Sequence, residues 1–477
     1  MSPQNDPYAH VQQDTESKRI IILLDGTWND DEIGGNRSNI LRLHDLIAEC
    51  LDPQDTPTSA PITHSPGWRA ETSARTFAGH EYIVFYQRGV GTGQFDRLRG
   101  GGLGAGLDSN IRRAYRFLSF HYQPGDEILI FGFSRGAYTA RSLTGYLGAI
   151  GLLRSETCTE ARETQAWSFY RTPPNDRLPA TWKELEPHVH PRDMVRIACL
   201  GLFDTVGALG IPIQGLWRLN RQKFEFHDVE LSSLVDIALH ALAIDEHRRP
   251  FEASVWRRNK FKRTSAIVEQ VWFPGVHADI GGGYLDDAQR DTAEVRPLDD
   301  LALDWMIRRL RVHVAGFPIT DQAWMSPPEQ GDLDPQHNSR TWTYRLWHRA
   351  VRSIGNRPLL PSLQGSRDVS VGCDPHTKVV NESVHIRAIR RLGTQVLVDG
   401  QKVLYAPTNL ICCLPELKRI YSSEGSQFIA PDTLTVTAMD GQAVHPRSEL
   451  APHLLVEVSD AIKRLEHAAP DLSNRIR

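Results

Sequence analysis

Apolar residues in this chain gather into short unbroken runs. Arg19–Leu24 is one such run, and it ends in Asp25-Gly26. A run without polar interruption suits a strand covered on both faces, as in a parallel sheet. Ile128–Phe131 has the same character, Met194–Phe203 is apolar and strand-like, and Glu81–Gln87 and Val268–Phe273 also read as strands. Longer stretches between them carry helical spacing: Asn36–Cys50, Leu107–His121 and Ala137–Ile150. Asp228–Asp245 also reads as a helix, with Val229, Leu231, Leu234, Ile237, Leu239, Leu242 and Ile244 on its apolar side. Asp245-Glu246-His247-Arg248-Arg249 would close it as a salt-bridged end. Strands alternating with helices predict an α/β protein with a doubly wound, mainly parallel sheet. Asp52–His80 is rich in Pro, Thr and Ser and predicts a surface loop.

The pattern changes near Gly393. Thr394–Tyr405 predicts a hairpin around Asp399-Gly400, and Leu434–Val444 a second around Asp440-Gly441. Leu454, Val458, Ile462 and Leu465 mark a final amphipathic helix. The expected organisation is a disordered tail over 1–17, a main domain over 18–392 with lid-like insertions, and a small β-rich addition over 393–477. Two insertions carry aromatic residues: Thr157–Met194, with Trp167, Phe169, Tyr170 and Trp182, and Ile211–Phe226, with Trp217 beside Arg218, Arg221 and Lys223. They read equally as a lid meeting an anionic lipid surface and as decorated exterior.

With 477 residues and a net charge of −4, the chain can bury a large core and has no electrostatic pull toward nucleic acid. Its six cysteines show no ligand or framework spacing, which predicts a reducing compartment and no structural disulfides. No apolar run nears the roughly 18 residues a membrane span requires, and Met1–Ser17 lacks a signal-peptide core. The expected location is cytoplasmic, or outside the cell by a non-classical route.

The chemistry centres on Gly132-Phe133-Ser134-Arg135-Gly136, set between the Ile128–Phe131 run and a helix. That is G-x-S-x-G in the strand–turn–helix setting of a nucleophile elbow. The turn lifts a serine hydroxyl clear of the sheet, and side chains at 132 or 136 would collide with strand and helix. The N–H of Arg135 then faces the place where an oxyanion forms. Gly26 and Thr27 are candidates for a second donor, since an early strand-to-helix loop usually supplies it. Asp25 could bind substrate or brace that loop. A serine nucleophile needs a base and an orienting acid. Asp204 follows the Met194–Phe203 run at once, and His277 lies in the glycine-rich loop Pro274–Tyr284 after Val268–Phe273. Ser134, Asp204 and His277 thus stand in hydrolase order at the carboxyl ends of strands. Asp245, His247, His337 and His385 are the rivals for acid and base.

Leu24–Asn29, Gly89–Gly93, Gly132–Tyr138, Phe203–Gly207 and Trp272–Tyr284, in that order, resemble the α/β-hydrolase family that contains the phospholipase effectors of type VI secretion systems. The resemblance runs from about Lys18 to about Leu392. It implies a serine esterase acting on glycerophospholipids, and with them a membrane surface and a secretion or immunity protein as partners. Asp25, Gly91, Thr92, Asp279 and Tyr284 stand in or beside these motifs and are the substrate-contact candidates. A cytoplasmic esterase or thioesterase, and a non-catalytic binding module on the same scaffold, remain the alternatives. Gly102-Leu103-Gly104-Ala105-Gly106 lacks the spacing and context of a dinucleotide loop, and no Walker lysine is present. Asp279, Asp286-Asp287 and Asp299-Asp300 lack EF-hand spacing. No cofactor and no metal are expected.

Overall fold

The computed structural model describes residues 17–26, 37–51, 68–89, 102–207, 231–257, 266–284, 297–325, 335–340, 344, 348–373, 379–422 and 433–471. Ten strands form the central sheet. They are β1 (Arg19–Leu24), β2 (Trp68–Phe77), β3 (His80–Gln87), β4 (Glu127–Phe133), β5 (Ile197–Phe203), β6 (Val235–Ala243), β7 (Ile267–Phe273), β8 (Glu382–His385), β9 (Thr435–Thr437) and β10 (Ala443–Val444). Their spatial order is β10-β9-β8-β7-β6-β5-β4-β1-β3-β2. Every pairing is parallel except those of β2 with β3 and β10 with β9 at the two edges.

Helices cover both faces. Those used below are α1 (Asn39–Cys50), α2 (Gly102–His121), α3 (Arg135–Ile150), α4 (Glu160–Arg171), α5 (His277–Gly281), α6 (Leu298–His313), α7 (Leu414–Tyr421) and α8 (Ala451–Ala468). The period of two along a strand assigns each side chain to a face. Ile20, Ile22, Ile128 and Ile130 pack against α2, α3 and α4. Their neighbours Ile21, Leu23, Leu129 and Phe131 pack against α1 and α6. A third cluster joins Leu242, Trp272, Val384 and Val436 to α7 and α8. Burial on both faces is why β1 reads as a continuous apolar run.

The structure departs from the sequence reading in four places. In place of the helix expected over Asp228–Asp245, Val235–Ala243 forms the strand β6. This strand is buried on both faces, so its apolar residues do not alternate, and their spacing mimics a helical stripe. The loop expected over Asp52–His80 contains β2, an edge strand whose polar sequence hid it. The loop expected over Pro274–Tyr284 contains the short helix α5, which begins at His277. The residues after Gly393 are more helical than expected. They do form the two hairpins, but β9 and β10 extend the main sheet, and α7 and α8 pack beside them.

The aromatic residues of the first insertion point inward. Trp167, Phe169 and Tyr170 are buried, and Tyr170 stacks on Tyr146 of α3 at 5.0 Å. The second insertion, Ile211–Phe226, lies outside the described residues, as do Gly91 and Thr92. All six cysteines are free thiols. Among the described residues no helix is long and apolar enough to cross a membrane, and no three His, Cys, Asp or Glu side chains converge on a metal site.

Candidate active site

Strands β1, β4, β5 and β7 all end on one side of the sheet, and the loops that leave them carry Asp25, Ser134, Asp204 and His277. Ser134 occupies the one-residue turn between β4 and α3 at φ 58°, ψ −120°. A non-glycine residue with positive φ is strained, and such strain persists only where the surroundings over-determine it. Here the two flanking glycines allow the close approach. A Cβ on Gly132 would lie 2.6 Å from the Gly136 carbonyl oxygen and 2.7 Å from the Ala137 Cα. A Cβ on Gly136 would lie 2.1 Å from the Leu24 carbonyl oxygen. The Ser134 N–H donates to the Phe203 carbonyl at 3.1 Å, which ties the turn to the end of β5. Arg135 is the first residue of α3, so its N–H has no acceptor within the helix.

His277 joins the other two residues. Its Nε2 accepts from Ser134 Oγ at 2.8 Å, and its Nδ1 donates to Asp204 Oδ2 at 2.6 Å. The carboxylate can only accept, which sets this tautomer. Asp204 is fully buried, and Ser134 and His277 are each 6 % exposed. Asp204 also has positive φ, 36°. Its Oδ1 accepts the Ala243 N–H at 2.9 Å and Arg352 Nη1 at 2.6 Å, and its Oδ2 accepts Arg352 Nη2 at 3.0 Å. Burial alone would raise the Asp204 pKa, but the Arg352 guanidinium and the His277 hydrogen bond hold it well below the usual carboxylate range. Burial lowers the His277 pKa from its ordinary value, and Asp204 offsets only part of that, which favours the neutral imidazole. The rings of Phe133 and Phe251 lie 4.8 and 4.9 Å from the imidazole and wall it on two sides.

The segment that carries His277 is braced by three buried carboxylates. Glu246 accepts the His277 N–H at 3.3 Å and Ser339 Oγ at 2.9 Å, and it pairs with Arg248 at 2.9 Å. Burial opposes its charge, but Arg248 brings its pKa down to about 2. Asp245 accepts the Gly275 N–H at 2.7 Å and the Tyr405 hydroxyl at 3.1 Å, and burial raises its pKa to about 6. Asp279 accepts the Val276 N–H at 2.9 Å and pairs with His337 Nδ1 at 2.6 Å. Tyr284 stacks on His337 at 3.7 Å.

These contacts place the remaining candidates. Asp245 and His247 do not form the expected salt-bridged helix end. Asp245 braces the β7–α5 turn, and His247 lies between the Ala350 carbonyl at 2.9 Å and Arg349 at 2.8 Å. His385 stacks on Phe273 at 4.9 Å and caps the helix Ile386–Arg391, and His337 is paired with Asp279. None of the three other histidines meets Ser134. Asp25 is 2 % exposed, and its carboxylate accepts the Gly26 N–H at 2.6 Å, Ser38 Oγ at 2.6 Å and Tyr86 Oη at 2.8 Å. These bonds tie it to Ser38 at the start of α1 and to Tyr86 of β3, and it takes the Gly26 N–H that was a candidate oxyanion donor. Thr27, the other candidate, lies outside the described residues. Asp279 is likewise buried and used by the His277 segment. Sequence reasoning did not find Arg352, and it met Glu246 only as part of the salt-bridged end Asp245–Arg249. Arg352 sits in an ordinary-looking Arg349-Ala350-Val351-Arg352, 148 residues from Asp204, with no motif to flag it.

A buried hydroxyl beside a neutral imidazole, with an ionised carboxylate behind it, can transfer a proton from oxygen to nitrogen and hold the resulting charge. Residues 18–309 match the family model described as T6SS phospholipase effector Tle1-like, catalytic domain. An uncharacterized protein of Saccharomyces cerevisiae, YEL023C, is 29% identical over 256 residues, covering 52% of this chain and 33% of that protein. Among solved structures, an uncharacterized protein from Pseudomonas aeruginosa is similar at TM-score 0.32 and 18% identity, covering 66% of this chain and 49% of the other. The Tle1 effector, solved bound to the VgrG spike of the type 6 secretion system, is similar at TM-score 0.28 and 20% identity, covering 56% and 51%. The chain therefore spans about a third of the yeast relative and about half of each solved chain.

Proposed function

This chain belongs to the family of T6SS phospholipase effectors resembling Tle1, through its catalytic domain, and from that premise we propose that it is a serine hydrolase of α/β-hydrolase fold that cleaves glycerophospholipid esters through an acyl-enzyme. The observation that carries this reading is the hydrogen-bonded line Ser134–His277–Asp204, with the serine held on a strained turn. His277 Nε2 takes the Ser134 proton as Oγ attacks the ester carbonyl carbon. Asp204 fixes the tautomer and stabilises the imidazolium. The N–H of Arg135 receives the developing oxyanion. Because Gly26 already donates to Asp25, Thr27 is assigned as the second donor. The imidazolium then returns its proton to the leaving alcohol, and water releases the acid by the same route. The family match also supports the proposal of a secretion-system partner and, with it, export by that route.

The decisive experiment supplies the purified protein with mixed phospholipid vesicles and, separately, with soluble short-chain esters and thioesters, and follows acid release. Release from vesicles is the expected result, and the chain released identifies the bond cut. Release from soluble esters alone would replace the lipid substrate with a small or carrier-bound acyl group. No release from either, together with no labelling by a fluorophosphonate, would overturn the serine-hydrolase reading.

The pH profile offers an independent check. Burial disfavours the imidazolium, so His277 stays a free base to a lower pH than an ordinary histidine of 6.5. Activity needs the free base, so it is present above the shifted pKa and lost as pH falls through it. The acid limb of kcat/KM is therefore expected below pH 6.5. A limb above that value would contradict the assignment of His277 as base.

A further inference from the structure

Arg352 stands outside the residues that the family model matches, yet it touches the acid of the proposed triad. It ends the short strand Arg349–Arg352, which pairs in parallel with Asp368–Val371. Its side chain is 2 % exposed. All five of its N–H groups are used. They reach both oxygens of Asp204, the Ala243 carbonyl at 2.9 Å and the Phe251 carbonyl twice. Ala243 ends β6, and Phe251 packs edge-on against the His277 ring. One planar fork thus holds the acid and the backbone of a residue that walls the base.

Resting on the hydrolase reading above, we propose that Arg352 is a positioning residue of this site, which locks Asp204 in place and divides its charge with His277. Two cations compete for one carboxylate. A guanidinium stays charged through the working pH range, whereas an imidazole gains its charge only on taking a proton. A guanidinium on both oxygens keeps the buried carboxylate ionised, and it also weakens the pull of that carboxylate on the imidazole proton. Among the described residues, the other charged groups facing the pair are Glu246, on the His277 N–H, and Arg248, which is paired with Glu246. His240, which accepts the Thr205 N–H at 3.2 Å beneath Asp204, is held neutral by burial, its pKa lowered to about 3. Neither Glu246 nor Arg248 reaches Asp204 by a contact comparable to the two from Arg352.

The test compares wild type with Arg352→Gln and Arg352→Lys, reading the pH profile of kcat/KM and, separately, the titration of the His277 imidazole by NMR, with its signal assigned by its loss in His277→Gln. In R352Q the Asp204–His277 pair is expected to hold its proton more tightly. The acid limb and the imidazole titration should both move up by roughly one pH unit, with kcat about 10- to 100-fold lower. R352K keeps the charge, so its limb should stay near the wild-type value while kcat falls by less. A lowered kcat in R352Q with both titrations unmoved would mean that Arg352 is only structural, and would overturn the proposal. If R352Q does not fold, R352K decides. Full wild-type kcat, or a limb displaced by a unit, would overturn it there. The imidazole titration needs no turnover, so an absence of ester hydrolysis in the wild type defeats the functional reading without being confused with this test.

Discussion

Replacing Ser134 by Ala is expected to lower ester turnover by at least about 10,000-fold while leaving the fold intact. The change removes a single oxygen, and that oxygen is the only atom that would bond to the acyl carbon. Its loss leaves His277 Nε2 with no proton to take and leaves Asp204 orienting an idle ring. What remains is the N–H of Arg135 and the binding surface, which can still polarise a carbonyl but cannot form the acyl-enzyme. The structural cost is small. Alanine meets the same strain at φ 58° as serine does, and the hydroxyl contributes one hydrogen bond of 2.8 Å. The melting temperature should therefore shift by only a few degrees, for a net loss of about 1 kcal/mol. Acid release and circular dichroism on the same preparation check both halves. Wild-type turnover in S134A would end the mechanism, whereas loss of both activity and fold would leave it undecided and call for Ser134→Cys.

Gly136→Ala is expected to do the reverse, removing activity by removing the fold. The added Cβ would fall 2.1 Å from the Leu24 carbonyl oxygen and 2.5 Å from that of Asp25. Both are backbone atoms at the end of β1, which pairs with β3 on one side and β4 on the other. A flexible side chain could swing away, but a central strand cannot move without disturbing both neighbours. Overpacking against fixed backbone costs about 3 kcal/mol or more, a large part of the stability of a typical domain. The expected outcome is a melting temperature many degrees lower, or insoluble protein. A G136A protein as stable as wild type would mean that α3 does not pack as tightly on β1 as its geometry states.

The parts of this molecule legible in its sequence are those where one residue's role is set by its immediate neighbours. Arg19–Leu24 announced a buried strand because both of its faces are covered. Gly132–Gly136 announced a strained turn because two glycines flank a serine between strand and helix. Ser134, Asp204 and His277 could be placed together because each follows a strand of the same parallel sheet. The misses have the opposite character. β6 reads as a helix because full burial erases the alternation that marks a strand, and β2 is hidden because an edge strand needs no apolar run. Arg352 and Glu246 act on residues far away in sequence, and nothing beside them shows it. Asp25 was legible as important but ambiguous in role. The positions of Gly26, Ser38 and Tyr86 around it show its carboxylate engaged within the protein.

The braces around His277 also set an order of assembly. Arg352 lies 148 residues from Asp204, Tyr405 lies 160 from Asp245, and Ser339 lies 93 from Glu246. Contacts between residues so distant carry the largest loop-closure cost and are slow to form. A chain leaving the ribosome exposes its serine long before it has made the residues that anchor the acid and the base. On the serine-hydrolase reading, the growing chain holds its nucleophile before it holds the braces of its acid and base.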